Sequence, residues 1–249
     1  MEYNGGGLMR LFDRRKNQAL DQQGGGLTLR TRAGQELRYF PPAIVATFRH
    51  TVTERVYRGG LPARVAMLAA LRGEGVSYTA LAFALTLASD IAVDVCVVEL
   101  NWWQSELAAL VGQPDAPGLA TVVAGEATFD EVLIQSDLPN LALLPAGPLP
   151  PERRHSIARS GVLREAIAEL SQRYDHLIFD LPALLATSDA LALVGLANAC
   201  CVVVRQGVTR TSSVKQALDH VQQLEVLGVI LNRSSFAAPR WLLNLIPQG

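Results

Sequence analysis

The chain is expected to fold as a single α/β domain, a mostly parallel sheet with helices on both faces. Six runs rich in Val, Ile and Leu carry apolar side chains without alternation: "RVAMLAA", "VDVCVVEL", "LALLPA", "HLIFDL", "ACCVVVR" and "EVLGVILN". Helical patterns stand between most of them, in "SYTALAFALTLA", "QSELAALVG", "SGVLREAIAELSQRY", "SDALALVGLA" and "SSVKQALDHVQQL". Strands apolar on both faces and separated by helices need cover above and below, which parallel strands joined by helical connections provide. At 249 residues, 49% apolar and 18% charged, the chain has the length and composition for one such core.

Taken in order, residues 1–40 hold two triple glycines, scattered charge and little periodicity, and are expected to form a flexible leader. Within it "LMRLFDRRK", Leu8 to Lys16, is short, basic and partly apolar; a solvated tail and a contact with an anionic membrane surface are both open to it. "PPAIVATFRHTVTERVY" begins with two prolines and then spaces Ile44, Phe48, Val52 and Val56 helically. The domain proper is expected over residues 41–235. "PPERRHSIARS", Pro150 to Ser160, reads as a basic surface loop. Residues 236–249 form an apolar tail with Trp241, Leu242, Leu243, Leu245 and Ile246, able to dock on the domain, on a bilayer surface or on a partner.

Charge and cysteine usage narrow the function. A net charge of -1 gives no electrostatic case for nucleic acid. Cys96, Cys200 and Cys201 lie in valine-rich runs without metal-ligand spacing, consistent with core packing in a reducing compartment. His50, His155, His176 and His220 are equally without ligand spacing. No signal peptide is visible, and the most apolar stretch is broken by Asp189, Gly195 and Asn198. A cytoplasmic location is expected.

In a parallel sheet ligands bind beyond the carboxyl ends of the strands, so the residues after each run carry the information. After "RVAMLAA" comes "RGEGVSYT", Arg72 to Thr79. Gly73, Glu74 and Gly75 form a turn whose backbone N–H groups can curl round phosphate oxygens, and the Ser77 hydroxyl can reach Mg2+. The phosphate-loop pattern G-x-x-x-x-G-K-[ST] puts lysine where Val76 stands, and Tyr78 replaces a small residue beside Ser77. Only two lysines occur, Lys16 and Lys215, so none nearby can substitute; Arg72 is the adjacent cation. Glu99 and Asn101 follow the second run, and Asp180 with Pro182 the fourth. Alone, a Gly-x-Gly turn or a strand-end Asp is ordinary turn chemistry; at neighbouring strand ends they suggest a phosphate and metal site.

On these motifs the chain, from about Phe48 to Arg233, resembles the bacterial tyrosine kinases of capsule and exopolysaccharide synthesis. "GEGVSYTA" is similar to that family's phosphate loop, "VVELNWWQSEL" to its second acidic motif, and "RYDHLIFDLPALLATSDALAL" to its Walker B strand, turn and helix. "GLATVVAGEATFDEVL", "LPNLALLPAGPLPP", "ACCVVVRQGVTRTSSVKQAL" and "VLGVILNR" match further family segments. The resemblance implies a P-loop NTPase-like fold, ATP and Mg2+ as cofactors, autokinase activity and a membrane polysaccharide co-polymerase as partner. It implies residual catalytic roles for Glu99 and Asp180, and a nucleotide cradle of Gly73, Glu74, Gly75, Val76, Ser77 and Tyr78. Ser77 and Asp180 would hold Mg2+ and Asn232 the adenine. It also implies self-association or association with an active kinase, and a place at the inner face of the membrane.

The departures fall on the chemistry. Val76 replaces the loop lysine, Glu99 and Asn101 replace two aspartates, and Trp102, Trp103 and Gln104 replace an arginine-rich stretch. The oligomerisation motif E-x-x-R-x-x-R reads Ala46, Arg49 and Val52, and no tyrosine follows Tyr174. Valine offers no donor to phosphate, and losing a charge-assisted hydrogen bond costs on the order of 1.5–3 kcal/mol in binding. ATP and Mg2+ are therefore doubtful cofactors here. The leading expectation is a catalytically impaired relative that regulates or scaffolds polysaccharide assembly. An active kinase with an atypical loop and a non-hydrolysing nucleotide switch are the alternatives. The Tyr78 ring lies along the helix surface or fills the phosphate space, and Trp102 and Trp103 form a partner patch or pack under a helix.

Overall fold

The computed structural model describes residues 25–57 and 59–233. Chain order is β1 (Leu27–Arg30), β2 (Glu36–Phe40), α1 (Pro42–Tyr57), β3 (Arg64–Ala69), α2 (Val76–Asp90) and β4 (Val95–Glu99). There follow α3 (Leu107–Leu110), α4 (Leu119–Val123), α5 (Phe129–Val132), β5 (Ile134–Gln135) and β6 (Leu141–Leu144). The last elements are α6 (Pro151–Ala158), α7 (Gly161–Arg173), β7 (His176–Asp180), α8 (Asp189–Val194), β8 (Ala199–Arg205), α9 (Thr211–Asp219) and β9 (Glu225–Asn232).

Seven strands form one sheet in the order β5-β6-β4-β7-β3-β8-β9, parallel throughout except for β5 against β6. The six expected strands are all present. β4 and β6 are buried along their whole length, and β7 and β8 along all but one residue at an end, because apolar clusters cover both faces. On one face α2 lies against the sheet, apolar almost all round, and α1 packs outside it through Phe48, whose ring meets Phe83 edge-on at 5.4 Å. Arg49 pairs with Asp90 at 2.9 Å across the same two helices. The opposite face is covered by α4, α7 and α8 through Leu119, Leu163, Ile167, Leu170 and Leu193. Among the described residues no helix is long and apolar enough to cross a membrane.

Three sequence expectations need correction. Residues 27–40, read as the end of a flexible leader, form a separate antiparallel hairpin of β1 and β2. Its short alternation is enough because Leu29 and Phe40 are fully buried against α1 and α2, and Leu27 nearly so. Backbone bonds from Arg32 to Gln135 and from Asp137 to Arg30 tie it to the sheet edge at β5. "PPERRHSIARS" is also not a loop: Pro151, at the first position of α6, presets the helical φ, and the basic residues lie on its exposed surface. The expected helix in "QSELAALVG" shrinks to the four residues of α3. The remaining leader segment, the basic run Leu8 to Lys16 and the tail at 236–249 lie outside the described residues.

The hairpin is thus part of the core. Phe40→Ala is expected to lower stability by about 3–5 kcal/mol in urea unfolding. Tyr57→Ala, at a side chain 87% exposed, is expected to stay within about 0.5 kcal/mol.

Candidate functional site

The site grows out of the turn after β3. Gly75 caps α2 with φ +92°, a left-handed conformation that L side chains avoid, and a Cβ there would run into the Asn232 amide. Thr79, buried one turn into the helix, gives its hydroxyl to the carbonyls of Gly75 and Val76 at 3.0 and 2.8 Å. Glu74 braces the turn from behind: its carboxylate accepts from Leu71 N at 3.0 Å and from the Thr209 hydroxyl after β8. Asn232, at the end of β9, donates from Nδ2 to Glu74 O at 2.8 Å and accepts Arg233 N at 2.8 Å. The loop is therefore held by its own neighbours, and the first N–H groups of α2 have no partner within the helix.

Beyond the loop opens a cavity of about 500 Å3. Gly73, Glu74, Gly75, Val76, Ser77 and Tyr78 all line it, as does Asn232, so the structure gathers every residue assigned to the nucleotide cradle. Their side chains do not all serve it. Val76 packs against the apolar cluster beside α2. Tyr78 leans on Phe40 of the hairpin at 5.0 Å between ring centroids, and burial raises its phenol pKa. Its ring packs on the hairpin while the residue also lines the cavity. Asn232 spends its amide on the loop rather than holding it free for a base.

Glu99 departs furthest from expectation. It is fully buried and does not line the cavity. One oxygen accepts Glu106 N at 2.5 Å and Leu107 N at 3.1 Å; the other accepts Ser105 Oγ at 2.7 Å and Ala146 N at 2.9 Å. Four donors occupy its lone pairs. The strand-end acid assigned to residual catalysis is a structural acceptor here, because the chain after β4 doubles back onto it.

Asp180 stands opposite Glu99 in the β4–β7 ladder. Its carboxylate is fully buried, and neither oxygen has a hydrogen-bond partner. Desolvation pushes its pKa well above the ordinary 3.8 and the Glu99 charge adds to this, while the nearby Ser77 hydroxyl only partly offsets them. Ser77 and Asp180 are thus the pair that sequence reading placed at a metal. A cation there would meet an acid that burial holds towards its neutral form, and the second acid is already engaged. The residues present do not fit Mg2+ held in the ordinary way of a phosphate loop.

Three arginines complete the lining. Arg72 belongs to the loop, as anticipated; Arg38 of β2 and Arg233 after β9 were not. All three are exposed, and none forms an ion pair among the described residues. The tryptophans divide: Trp102 is buried with Nε1 donating to Ala146 O at 3.0 Å, while Trp103 lines the cavity with Arg154 over its ring at 5.8 Å. The alternation of "ELRYF" could have signalled Arg38, since it puts that residue on the face that carries Phe40.

No model of a known protein family matches the chain. The succinoglycan biosynthesis transport protein ExoP of Rhizobium meliloti is 29% identical over 195 residues, 76% of this chain and 25% of ExoP. The tyrosine-protein kinase YwqD of Bacillus subtilis is 27% identical over 171 residues, 68% of this chain and 71% of YwqD. The chain thus spans only a quarter of the first relative. Among solved structures, the VpsO kinase domain superposes with a TM-score of 0.69 at 25% identity, covering 78% of this chain and 95% of that domain.

Two variants separate the acids. Glu99→Ala strands at least two buried donors and is expected to cost about 3 kcal/mol or more in urea unfolding. For Asp180 the sign follows from its raised pKa. The folded state holds the proton longer than the unfolded one, so stability falls as pH rises from about 4 towards the folded value. Asp180→Asn removes that slope, and its stability relative to the parent should increase from pH 4.5 to pH 8. A parallel pair of curves would show that Asp180 ionises freely.

Proposed function

We propose, from the premise that this chain belongs to the bacterial tyrosine kinase family, that it is a catalytically impaired member acting as a regulatory or scaffolding partner in polysaccharide synthesis and export. The observation that carries the reading is Val76. A branched hydrocarbon side chain, packed into the apolar cluster beside α2, stands where transition-state charge on phosphate requires a cation.

Two features support it. The Glu99 carboxylate accepts from four donors and has no lone pair to spare for a metal's water shell. Asp180 is held towards its neutral form by burial, so it is a poor anchor for a cation. Loss of a single transition-state donor costs roughly 10²–10³ in turnover; here the loop cation and both acids are affected together.

The pathway rests on the relatives. ExoP is a succinoglycan biosynthesis transport protein, and other relatives are tyrosine-protein kinases. A partner at the inner membrane face is proposed on that basis, either a polysaccharide co-polymerase or an active kinase of the same fold. The loop and cavity would then serve as a shaped, non-reacting surface that the partner reads.

The test is transfer and release of labelled phosphate from ATP with Mg2+, run beside YwqD. The expected result is neither release nor self-labelling above background. Val76→Lys should raise ATP affinity roughly ten- to a hundredfold, the value of one charge-assisted contact, without restoring turnover while Glu99 remains engaged. Phosphate release by the unaltered chain at a rate comparable with YwqD would overturn the proposal.

A further inference from the structure

The cavity has exchanged one kind of positive charge for another. A phosphate loop ordinarily meets polyphosphate with a lysine from the loop and a divalent cation held by strand-end acids. In this chain the lysine is Val76, and both strand-end acids are withdrawn, Glu99 by its four donors and Asp180 by burial. The rim, however, carries Arg38, Arg72 and Arg233, from three separate elements, all exposed and without an ion pair among the described residues.

Arg38 is the best placed. The β1–β2 register sets it opposite Leu29 and two residues from Phe40, both fully buried, so it shares the strand face that meets the domain. The Phe40 ring rests on Tyr78 in the first turn of α2, which fixes this part of β2 over the start of the helix. The Arg38 charge acts on the Tyr78 phenol, a second sign that the guanidinium lies near that turn. Two carboxylates share the lining, Glu74, which turns to Leu71 N and the Thr209 hydroxyl, and Glu106, which accepts from Gln104 at 3.5 Å, so the guanidiniums outnumber the acids.

We infer that the cavity binds a ring-bearing organic diphosphate, such as a nucleoside diphosphate, without a divalent cation, with Arg38 of the N-terminal hairpin as the principal phosphate contact. The inference rests on the impaired-kinase reading, whose absent metal and loop cation it replaces. A guanidinium is charged at every accessible pH and offers paired N–H donors that match two phosphate oxygens, so it needs no metal to bridge them. Arg72 and Arg233 flank the same opening. A volume of about 500 Å3 exceeds what two phosphates fill and lies within the range of sites for whole small molecules. Trp103, with Leu181, Pro182 and Ala183, gives the remainder an apolar, partly aromatic wall on which a ring can rest.

The experiment is calorimetric titration of the full chain with ADP, once in excess Mg2+ and once in excess EDTA. Equal affinity in the two buffers is expected, with Arg38→Ala weakening it roughly ten- to a hundredfold in both. Arg38 is exposed, so the variant should melt with the parent; Arg233→Ala, at an independent element, should weaken binding in the same direction. Affinity that collapses in EDTA, that ignores Arg38→Ala, or that is absent in both buffers overturns the inference. Inorganic pyrophosphate binding as tightly as ADP overturns its ring component. The impaired-kinase reading fails on a different measurement, phosphate release from ATP, so either can fall while the other stands.

Discussion

The Glu99 carboxylate is the knot at the carboxyl edge of this sheet. It is fully buried at the end of β4, and its partners come from two different connections: Ser105, Glu106 and Leu107 from the one after β4, Ala146 from the one after β6. Those connections are then locked to each other. Trp102 donates to the Ala146 carbonyl, and Gly118, where any Cβ would meet backbone, lets α4 start against Pro145 and Ala146. A buried acid that satisfies backbone N–H groups in this way is worth far more as an acceptor than as a free charge, since each donor would otherwise be stranded. The cost falls on chemistry. An acid whose lone pairs are filled cannot also orient a metal's water.

Asp180 follows from the same arrangement. It faces Glu99 across one ladder position, and the Glu99 charge adds to the burial that raises the Asp180 pKa. Glu99 has four donors, whereas neither Asp180 oxygen has a hydrogen-bond partner. The two acids to which resemblance gave residual catalytic roles thus differ in surroundings, one saturated with donors and the other buried without them. Ser77 keeps the position from which a hydroxyl could reach a cation, but burial holds the acid beside it towards its neutral form.

The sheet was legible because its strands are continuous apolar runs, and a run that needs cover on both faces admits few arrangements. The glycine turn was legible because Gly75 stands in a left-handed conformation that other residues avoid. What escaped was short or distant. The hairpin alternates over only four and five residues beside glycines, and its stability comes from α1 and α2, which no local pattern reports. The fate of Glu99 was equally hidden, because an acid at a strand end reads alike whether its lone pairs meet a cation or returning N–H groups. The tryptophans that replace an arginine-rich stretch split between wall and core according to which neighbour had room for them, and no spacing rule distinguishes Trp102 from Trp103.

A glycine loop that persists without its lysine invites the inference that nucleotide still binds, yet the loop's geometry is no evidence for that. Gly75 is required because Asn232 closes on it; Glu74 is required because Thr209 and Leu71 use its carboxylate; Thr79 holds the carbonyls beneath. Every one of these demands would exist in a protein that had never met a phosphate. The distribution of charge is the discriminating property, since an apolar scaffold has no need of three guanidiniums round one opening, none in an ion pair among the described residues. Their origin on a hairpin, a loop and the end of the edge strand β9 means that no single element fixes the rim. An anion bridging them would hold the hairpin against the sheet as well as occupy the cavity.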